Sequence, residues 1–212
     1  MTDIKILNLY AGIGGNRKLW EDVDVTAVEN NPKIAKIYQD FFPNDKVIIA
    51  DAHQYLLEHF KEYDFIWSSP PCPSHSRIRF YAAVKRGQNK PIYPSMRLYE
   101  EIIFLDNYFD GNWVVENVIS FYEPLIPPRK VGRHYFWSNF HISNIKVKGG
   151  EISSTYNIMQ ERKGFDLSKY KNINKILLLR NCVESELGLH IFKCGLKYNV
   201  KNEINNVQKL LF

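Results

Sequence analysis

Short apolar runs alternate with helical patterns through the first half of the chain, and this alternation is the strongest constraint on its fold. IKILNLY, VDVTAV and YDFIWSS read as buried strands, because each is short, continuous and rich in β-branched or aromatic residues. Between the strands, a helical pattern begins at Pro32 and runs to Phe41, and another joins Leu98 to Phe109. This order predicts an α/β fold with a doubly wound, mostly parallel sheet.

Further segments complete the predicted order of elements. KVIIA, NWVVENV and HYFWSNFHI read as strands, the last antiparallel to the others, and ISNIKVK is a candidate strand. An amphipathic stretch follows the AGIGG turn as far as Trp20, a short helix covers 53–60, and LGLHIFKCGL is a final helix. Residues 149–170 lack a clear pattern and are predicted as loop and short helix. We expect a single domain over residues 1–212.

Composition excludes several classes of protein. The 212 residues are 45% hydrophobic and 24% charged, which is typical of a globular domain. No apolar run approaches the roughly 20 residues that cross a bilayer, and MTDIKILNLY lacks the features of a signal peptide. We therefore expect a cytoplasmic protein without a membrane partner. Three cysteines argue against a disulfide framework, and the six scattered histidines predict no metal site.

Chemically useful residues follow each predicted parallel strand, at the edge where open α/β sheets bind ligands. The glycine turn after the first strand lets a ligand approach the backbone, at the start of a helix. Glu29 after the second strand can accept both hydroxyls of a ribose, and Asp51 after the third can accept an adenine amino group. Each acid alone also fits a helix N-cap. Together they predict an adenosine-containing cofactor, and the lack of a Walker-type lysine disfavours a nucleoside triphosphate.

The stretch SSPPCPSHS places Cys72 among three prolines, directly after the fourth strand. Prolines exclude a helix there, and the position does not suit a core cysteine, so the thiol is a candidate nucleophile. The following basic loop carries Arg77, Arg79, Lys85, Arg86 and Lys90 without any acid, and Phe80 and Tyr81 are interleaved. Such a loop is either a solvated surface or a contact for nucleic-acid phosphates.

The motifs LYAGIGG, AVENNP, DAH, SSPPCPSHS and VVENV, in this order, resemble those of the cytosine-C5 methyltransferase family. HYFWSNF and RNCVESELGLHIF resemble its closing motifs, so the likeness runs from Asn8 to about Lys193. The chain looks most similar to compact forms from phages and prophages. The resemblance implies a Rossmann-like fold that uses S-adenosylmethionine to methylate carbon 5 of cytosine in DNA, in a restriction-modification system or another setting.

The resemblance also implies roles for individual residues. Cys72 attacks carbon 6 of a flipped cytosine, Glu116 protonates nitrogen 3, Asn117 positions the loop, and Arg133 holds the base carbonyl and the acid. The residues implied for S-adenosylmethionine are Tyr10, Gly12, Gly14, Gly15, Glu29, Asn30, Asp51, Ala52, Pro71, Asn181 and Cys182. Those implied for DNA are Ser76, Arg77, Arg79, Lys85 and Arg86.

The chain departs from the family pattern in two respects that keep alternatives open. Pro73 replaces a glutamine that often helps to hold the rearranged duplex, and Tyr10 replaces a usual phenylalanine. Residues 141–180 are too few for a normal target recognition domain, so recognition falls to short loops or to a separate subunit, or is weak. Methylation of tRNA cytosine, a silent DNA-binding subunit and a dinucleotide-dependent oxidoreductase are the other functions that we weigh.

Overall fold

The structure is a computed structural model that describes residues 4–88, 90–146 and 155–210. In chain order its elements are β1 (Ile4–Leu9), β2 (Val23–Val28), α1 (Pro32–Phe41), β3 (Lys46–Ile48), α2 (Ala52–His59), β4 (Phe65–Ser68), α3 (Arg77–Val84), α4 (Arg97–Tyr108), β5 (Asn112–Val118), β6 (Arg129–Val131), β7 (His134–Ser138), α5 (Tyr156–Lys163), α6 (Lys175–Asn181) and α7 (Ser185–Leu210).

The strands form one seven-stranded sheet in the order β3-β2-β1-β4-β5-β7-β6. β1 to β5 are mutually parallel, whereas β7 runs antiparallel between β5 and β6. This mostly parallel sheet, covered on both faces, is a Rossmann-like arrangement, and the predicted α/β fold class is confirmed. The strand order reverses between β1 and β4, and open sheets bind their ligands at such a switch point.

Two apolar layers enclose the sheet. On one face, alternate residues of the strands, such as Ile6 and Phe65, pack with Ile191 and Phe192 of α7. On the other face, the intervening residues pack against α2 and the long helix α4. Strands that are buried on both faces read as continuous apolar runs, which explains why the sequence located them well.

The segment after β1 is a chain of turns from residue 11 to residue 19, so the helix predicted as far as Trp20 is wrong. A long-range contact explains the difference. Gly188 of α7 lies so close to the backbone of Asn16 that an added Cβ would stand 2.4 Å from the Asn16 oxygen. Because α7 packs directly on this backbone, the glycine turn does not lead into a helix.

Other element predictions also need correction. The basic segment after Cys72 contains helix α3, which begins after the Ser76 cap, so it is not a loop throughout. Residues 142–146 of the candidate strand ISNIKVK form no strand, and its last two residues lie outside the described part of the chain, as do 149–154. The final helix is longer than predicted, and β6 and α6 have no counterpart in the sequence analysis.

Candidate active site

The glycine turn and Glu29 are joined by hydrogen bonds at the ends of β1 and β2. The backbone N–H groups of Gly12 and Asn31 donate to the Glu29 carboxylate, to Oε2 at 3.1 Å and to Oε1 at 2.9 Å. Gly12 has φ of 56° and Gly14 of 83°, in the left-handed region that glycine adopts without strain. Each Glu29 oxygen keeps a second lone pair, so the carboxylate could accept two neighbouring hydroxyl groups from a ligand. Asn30 is exposed beside it.

A buried carboxylate that sequence reasoning missed lies beneath this turn. Glu101 of α4 is 0% exposed and accepts hydrogen bonds from the hydroxyls of Tyr10, at 2.6 Å, and Ser68, at 2.5 Å. His53 Nδ1 lies 3.0 Å from the same carboxylate, and this contact raises the pKa of His53. The hydroxyl of Tyr10, which distinguishes this residue from phenylalanine, therefore has a structural partner. The cluster joins the ends of β1 and β4 to α2 and α4.

Replacing Tyr10 with phenylalanine should lower the melting temperature by about 2–12 °C. The change leaves a buried carboxylate short of one donor, which costs about 1–3 kcal/mol, and each kcal/mol shifts the melting temperature of a domain of this size by about 2–4 °C. Differential scanning calorimetry measures the effect. Glu101→Gln in the same background should recover part of the loss, because the neutral amide has less need of donors. A melting temperature equal to that of the unchanged protein would contradict this account.

Asp51 is the N-cap of α2. Its Oδ1 accepts from the Gln54 N–H at 3.0 Å, and its Oδ2 lies 3.1 Å from Arg97 Nη1. The Gln54 N–H and the Arg97 guanidinium both lower the pKa of Asp51, so this exposed carboxyl is an anion at neutral pH. Ala52 is buried as the first residue of the helix. The contact between Asp51 and adenine stays a prediction. The same carboxylate already caps helix α2.

The Pro-Pro-Cys segment is held against the end of β5. The Asn117 side-chain amide donates to the Pro70 carbonyl at 2.9 Å, and the N–H groups of His75 and Ser76 donate to the Cys72 carbonyl. Cys72 is half-buried, and Pro71 beside it is exposed. Burial and the nearby negative charge of Glu116 raise the pKa of the Cys72 thiol to about 11. The thiol and the carboxylate are therefore electrostatically coupled, and the free protein holds the thiol in its neutral form.

Glu116 has a partner that the sequence did not indicate. It is 7% exposed near the end of β5, and His134 Nδ1 of β7 lies 2.6 Å from its Oε1. The resemblance assigned this carboxylate to Arg133, which is exposed in the tight turn that precedes β7. The proposed role of Arg133 toward the base stays a prediction.

Helix α3 presents the predicted nucleic-acid contacts next to Cys72. The Ser76 hydroxyl caps the helix, Arg77 Nε donates to the Ser120 carbonyl at 2.7 Å, and Phe80 stacks on Phe121 with centroids 4.4 Å apart. Arg79 Nη2 lies 3.5 Å from the Lys90 carbonyl, Lys85 is the C-cap, and Arg86 lies over the ring of Tyr81. His75 Nδ1 and the Tyr122 hydroxyl are 2.6 Å apart. These contacts clamp the helix to the segment after β5.

The closing motif lies against the glycine turn. An added Cβ at Gly15 would meet both Cys182 Cβ and the Val183 carbonyl oxygen at 2.7 Å. Cys182 is buried, and its thiol donates a hydrogen bond to the Leu178 carbonyl. Burial raises the pKa of this thiol to about 12. Asn181 is the exposed last residue of α6. The two distant segments thus meet at the end of β1.

The described residues contain no group of three or more histidine, cysteine, aspartate or glutamate side chains that could hold a metal ion. Within the same ranges, none of the helices combines the length and the apolar character that a bilayer crossing demands.

Comparisons with solved structures give weak likenesses to methyltransferases. A putative methyltransferase, yhhF, from Escherichia coli is 15% identical, with a TM-score of 0.42 over 64% of this chain and 74% of that one. A putative DNA modification methyltransferase from an E. coli prophage is 17% identical, with a TM-score of 0.42 over 66% and 49%. A Spodoptera frugiperda DNMT2 mutant is 27% identical, with a TM-score of 0.38 over 55% and 36%.

The chain thus spans less than half the length of the last two structures. No curated protein matches it significantly. The model of the C-5 cytosine-specific DNA methylases matches residues 4–105, from β1 through the glycine turn and the Cys72 segment into α4. This match covers just under half of the chain, and over these residues the chain is similar to the C-5 cytosine-specific DNA methylases.

Proposed function

We propose that this protein transfers a methyl group from S-adenosylmethionine to carbon 5 of cytosine in DNA. The observation that carries the proposal is the pairing of Cys72 with Glu116. The carboxylate lies close enough to raise the pKa of the thiol, and the neighbouring Asn117 ties the cysteine segment to the same strand. A nucleophile beside an acid is the arrangement that attack on a cytosine ring requires.

Carbon 5 of cytosine is a weak nucleophile until carbon 6 is attacked. The Cys72 thiol passes its proton to the Glu116 carboxylate, and the thiolate forms a bond to carbon 6 while Glu116 gives that proton to nitrogen 3. The ring becomes an enamine that is nucleophilic at carbon 5. S-adenosylmethionine, when bound, supplies the electrophilic methyl group. A water molecule then takes the carbon 5 proton, the thiolate departs as the ring becomes aromatic again, and nitrogen 3 returns its proton to Glu116. Cysteine suits both attack and departure.

The residues at the ends of β1 to β3 fit the cofactor. Glu29 is held by two backbone N–H groups with lone pairs to spare for ribose hydroxyls. Gly14 and Gly15 have no side chains, so a ligand can come close to the backbone of the turn. Cys182 packs against Gly15, on the side of the turn proposed for the methionine portion of the cofactor. Tyr10, Gly12, Asn30, Asp51, Ala52, Pro71 and Asn181 complete the proposed set.

Helix α3 and the residues around it are proposed to meet the DNA backbone. Their positive charges stand beside Cys72 with exposed apolar side chains such as Ile78, at 62%, and Tyr81, at 53%. Arginine and lysine bind phosphates, whereas aromatic and apolar side chains contact bases that leave the stack. Ser76, Arg77, Arg79, Lys85 and Arg86 are the proposed contacts.

We further propose that the whole chain is one catalytic domain with little sequence recognition of its own. The described part of 141–180 is used for packing: Met159, Phe165 and Leu178 form one apolar cluster with Ile13 and with Ile37 of α1. Lys163 of α5 is buried and donates to the Cys182 carbonyl at 2.5 Å. Side chains that fill a core cannot also read bases, so specificity would come from short loops or from a partner subunit.

The test is to express the chain in cells that lack 5-methylcytosine and to quantify this base in digested DNA and RNA by mass spectrometry. We expect a rise in DNA that Cys72→Ala reduces at least about 1,000-fold, since the covalent route is lost. Cys194→Ser is the matched control and should retain activity. A rise confined to RNA would move the substrate to RNA. No rise in either, with cofactor binding intact, would overturn the proposal that the chain acts alone.

A further inference from the structure

His134 stands beside the proposed acid of the reaction, although the resemblance of its HYFWSNF motif assigned it no role. Its Nδ1 lies 2.6 Å from Glu116 Oε1, and its side chain is 19% exposed, beside 9% for Glu116. An ionised carboxylate has only acceptors, so Nδ1 must carry the hydrogen in this contact. The ring is therefore fixed in the Nδ1–H form, whereas the Nε2–H form is the more common one for a neutral imidazole in water.

The backbone holds both partners in place before any ligand binds. His134 pairs with Val118 of β5 on one side and with Val131 of β6 on the other, and Glu116 pairs with Phe136 on the same ladder. The His134 ring also packs 6.1 Å from the ring of Phe136. A donor that is fixed by two neighbouring strands needs little reorganisation during a reaction, which is the condition for effective electrostatic stabilisation.

We infer that His134 is the positioning residue of Glu116. Its Nδ1–H holds Oε1, so that the carboxyl group meets nitrogen 3 of cytosine through its other oxygen. When Glu116 passes its proton to nitrogen 3, the negative charge that develops on the carboxylate is stabilised by the Nδ1–H bond. The proton returns to Glu116 when the Cys72 thiolate departs. This inference rests on the proposed methyl transfer and adds a group that the family resemblance did not assign.

The contact itself can be tested without activity. Long-range ¹H–¹⁵N correlation spectra of the protein, recorded where the His134 ring is neutral, should show the Nδ1–H tautomer. Glu116→Ala removes the acceptor, and the Nε2–H form should then dominate. His134→Asn identifies the resonance. An Nε2–H ring in the unchanged protein, or spectra that Glu116→Ala does not alter, would overturn the inference.

Kinetics test the role. His134→Leu should lower kcat by about 10–100-fold, as expected on loss of one preorganised donor, with KM for DNA and binding of S-adenosylhomocysteine within about twofold. His134→Asn retains a donor near the position of Nδ1 and should recover most of kcat. The matched control is His59→Leu, which breaks a similar contact of 2.7 Å to Glu62 at the far end of α2 and should leave kcat unchanged.

The outcomes separate this inference from the proposed function. Full kcat in His134→Leu, or a loss that appears only in KM or in cofactor binding, would overturn the positioning role while methyl transfer stands. An unchanged protein that methylates neither DNA nor RNA would overturn the proposed function. In that event the spectra still decide whether His134 holds Glu116.

Discussion

Replacing Glu116 with glutamine should make Cys72 more reactive toward iodoacetamide and at the same time abolish methyl transfer. The raised pKa of Cys72, about 11, has two causes, of which burial is the larger and the charge of Glu116 the second. Glutamine removes the second cause, so the pKa falls and a larger fraction of the thiol is ionised at a given pH. Glutamine cannot protonate nitrogen 3, so methyl transfer should fall at least about 100-fold.

The alkylation rate measured against pH shows directly whether Glu116→Gln lowers or raises the pKa of Cys72. In the unchanged protein the rate should reach half of its maximum at a pH of about 11. At pH 7.5 the thiolate should be roughly 300-fold scarcer than in a free cysteine of pKa about 8.5. In Glu116→Gln the whole curve should move to lower pH. The Cys72→Ala protein measures the background alkylation of Cys182 and Cys194. The matched control is Glu123→Gln, because Glu123 is an exposed acid after β5. A curve that stays in place or moves to higher pH would contradict the proposed coupling.

Gly15→Ala should lower the melting temperature by about 2–12 °C and weaken cofactor binding. The new methyl group would stand 2.7 Å from the Val183 carbonyl oxygen and 3.0 Å from Cys182 Cα, and these backbone atoms cannot swing aside as a flexible side chain would. Overpacking of this kind costs about 1–3 kcal/mol, and about 2–4 °C of melting temperature accompanies each kcal/mol in a domain of this size. The displaced turn is also the proposed site for the methionine portion.

Thermal unfolding with and without S-adenosylhomocysteine measures both effects. We expect a lower melting temperature and a smaller rise on adding the ligand. Gly87→Asn is the control, because Gly87 has space around it, and asparagine tolerates its positive φ of 62°. A Gly15→Ala protein that keeps its stability and its ligand response would show that α6 is not seated against the turn.

The sequence predicted the central strands well and the segments fixed by distant contacts poorly. β1, β2, β4 and β5 are continuous apolar runs because both faces of the sheet are covered. The turns after β1 depend instead on the packing of α7 on Asn16, which no local pattern could reveal. Within the described ranges β6 has three residues and pairs only with β7, and α3 has no buried residue, so neither shows an apolar period.

The residues of the candidate site likewise fall into those that the sequence could predict and those that it could not. Cys72, Glu116 and Glu29 could be predicted, because each lies near or just after the end of a buried strand, at the edge where ligands bind. His134 and Glu101 could not, because each acts through a partner far away in sequence, 18 residues for His134–Glu116 and 91 for Glu101–Tyr10. Histidine and glutamate on a predicted strand or helix look like ordinary surface residues until the pairing of elements is known.

The clamp between α3 and the segment after β5 has a consequence for recognition. The hydrogen bond of Arg77, the His75–Tyr122 contact and the stacked Phe80–Phe121 pair exist in the free chain. The conformational entropy of this segment is therefore lost during folding and not at the encounter with a substrate. We expect the nucleic acid to meet a surface that is already assembled, so that its own deformation, and not the ordering of the protein, limits the rate of association.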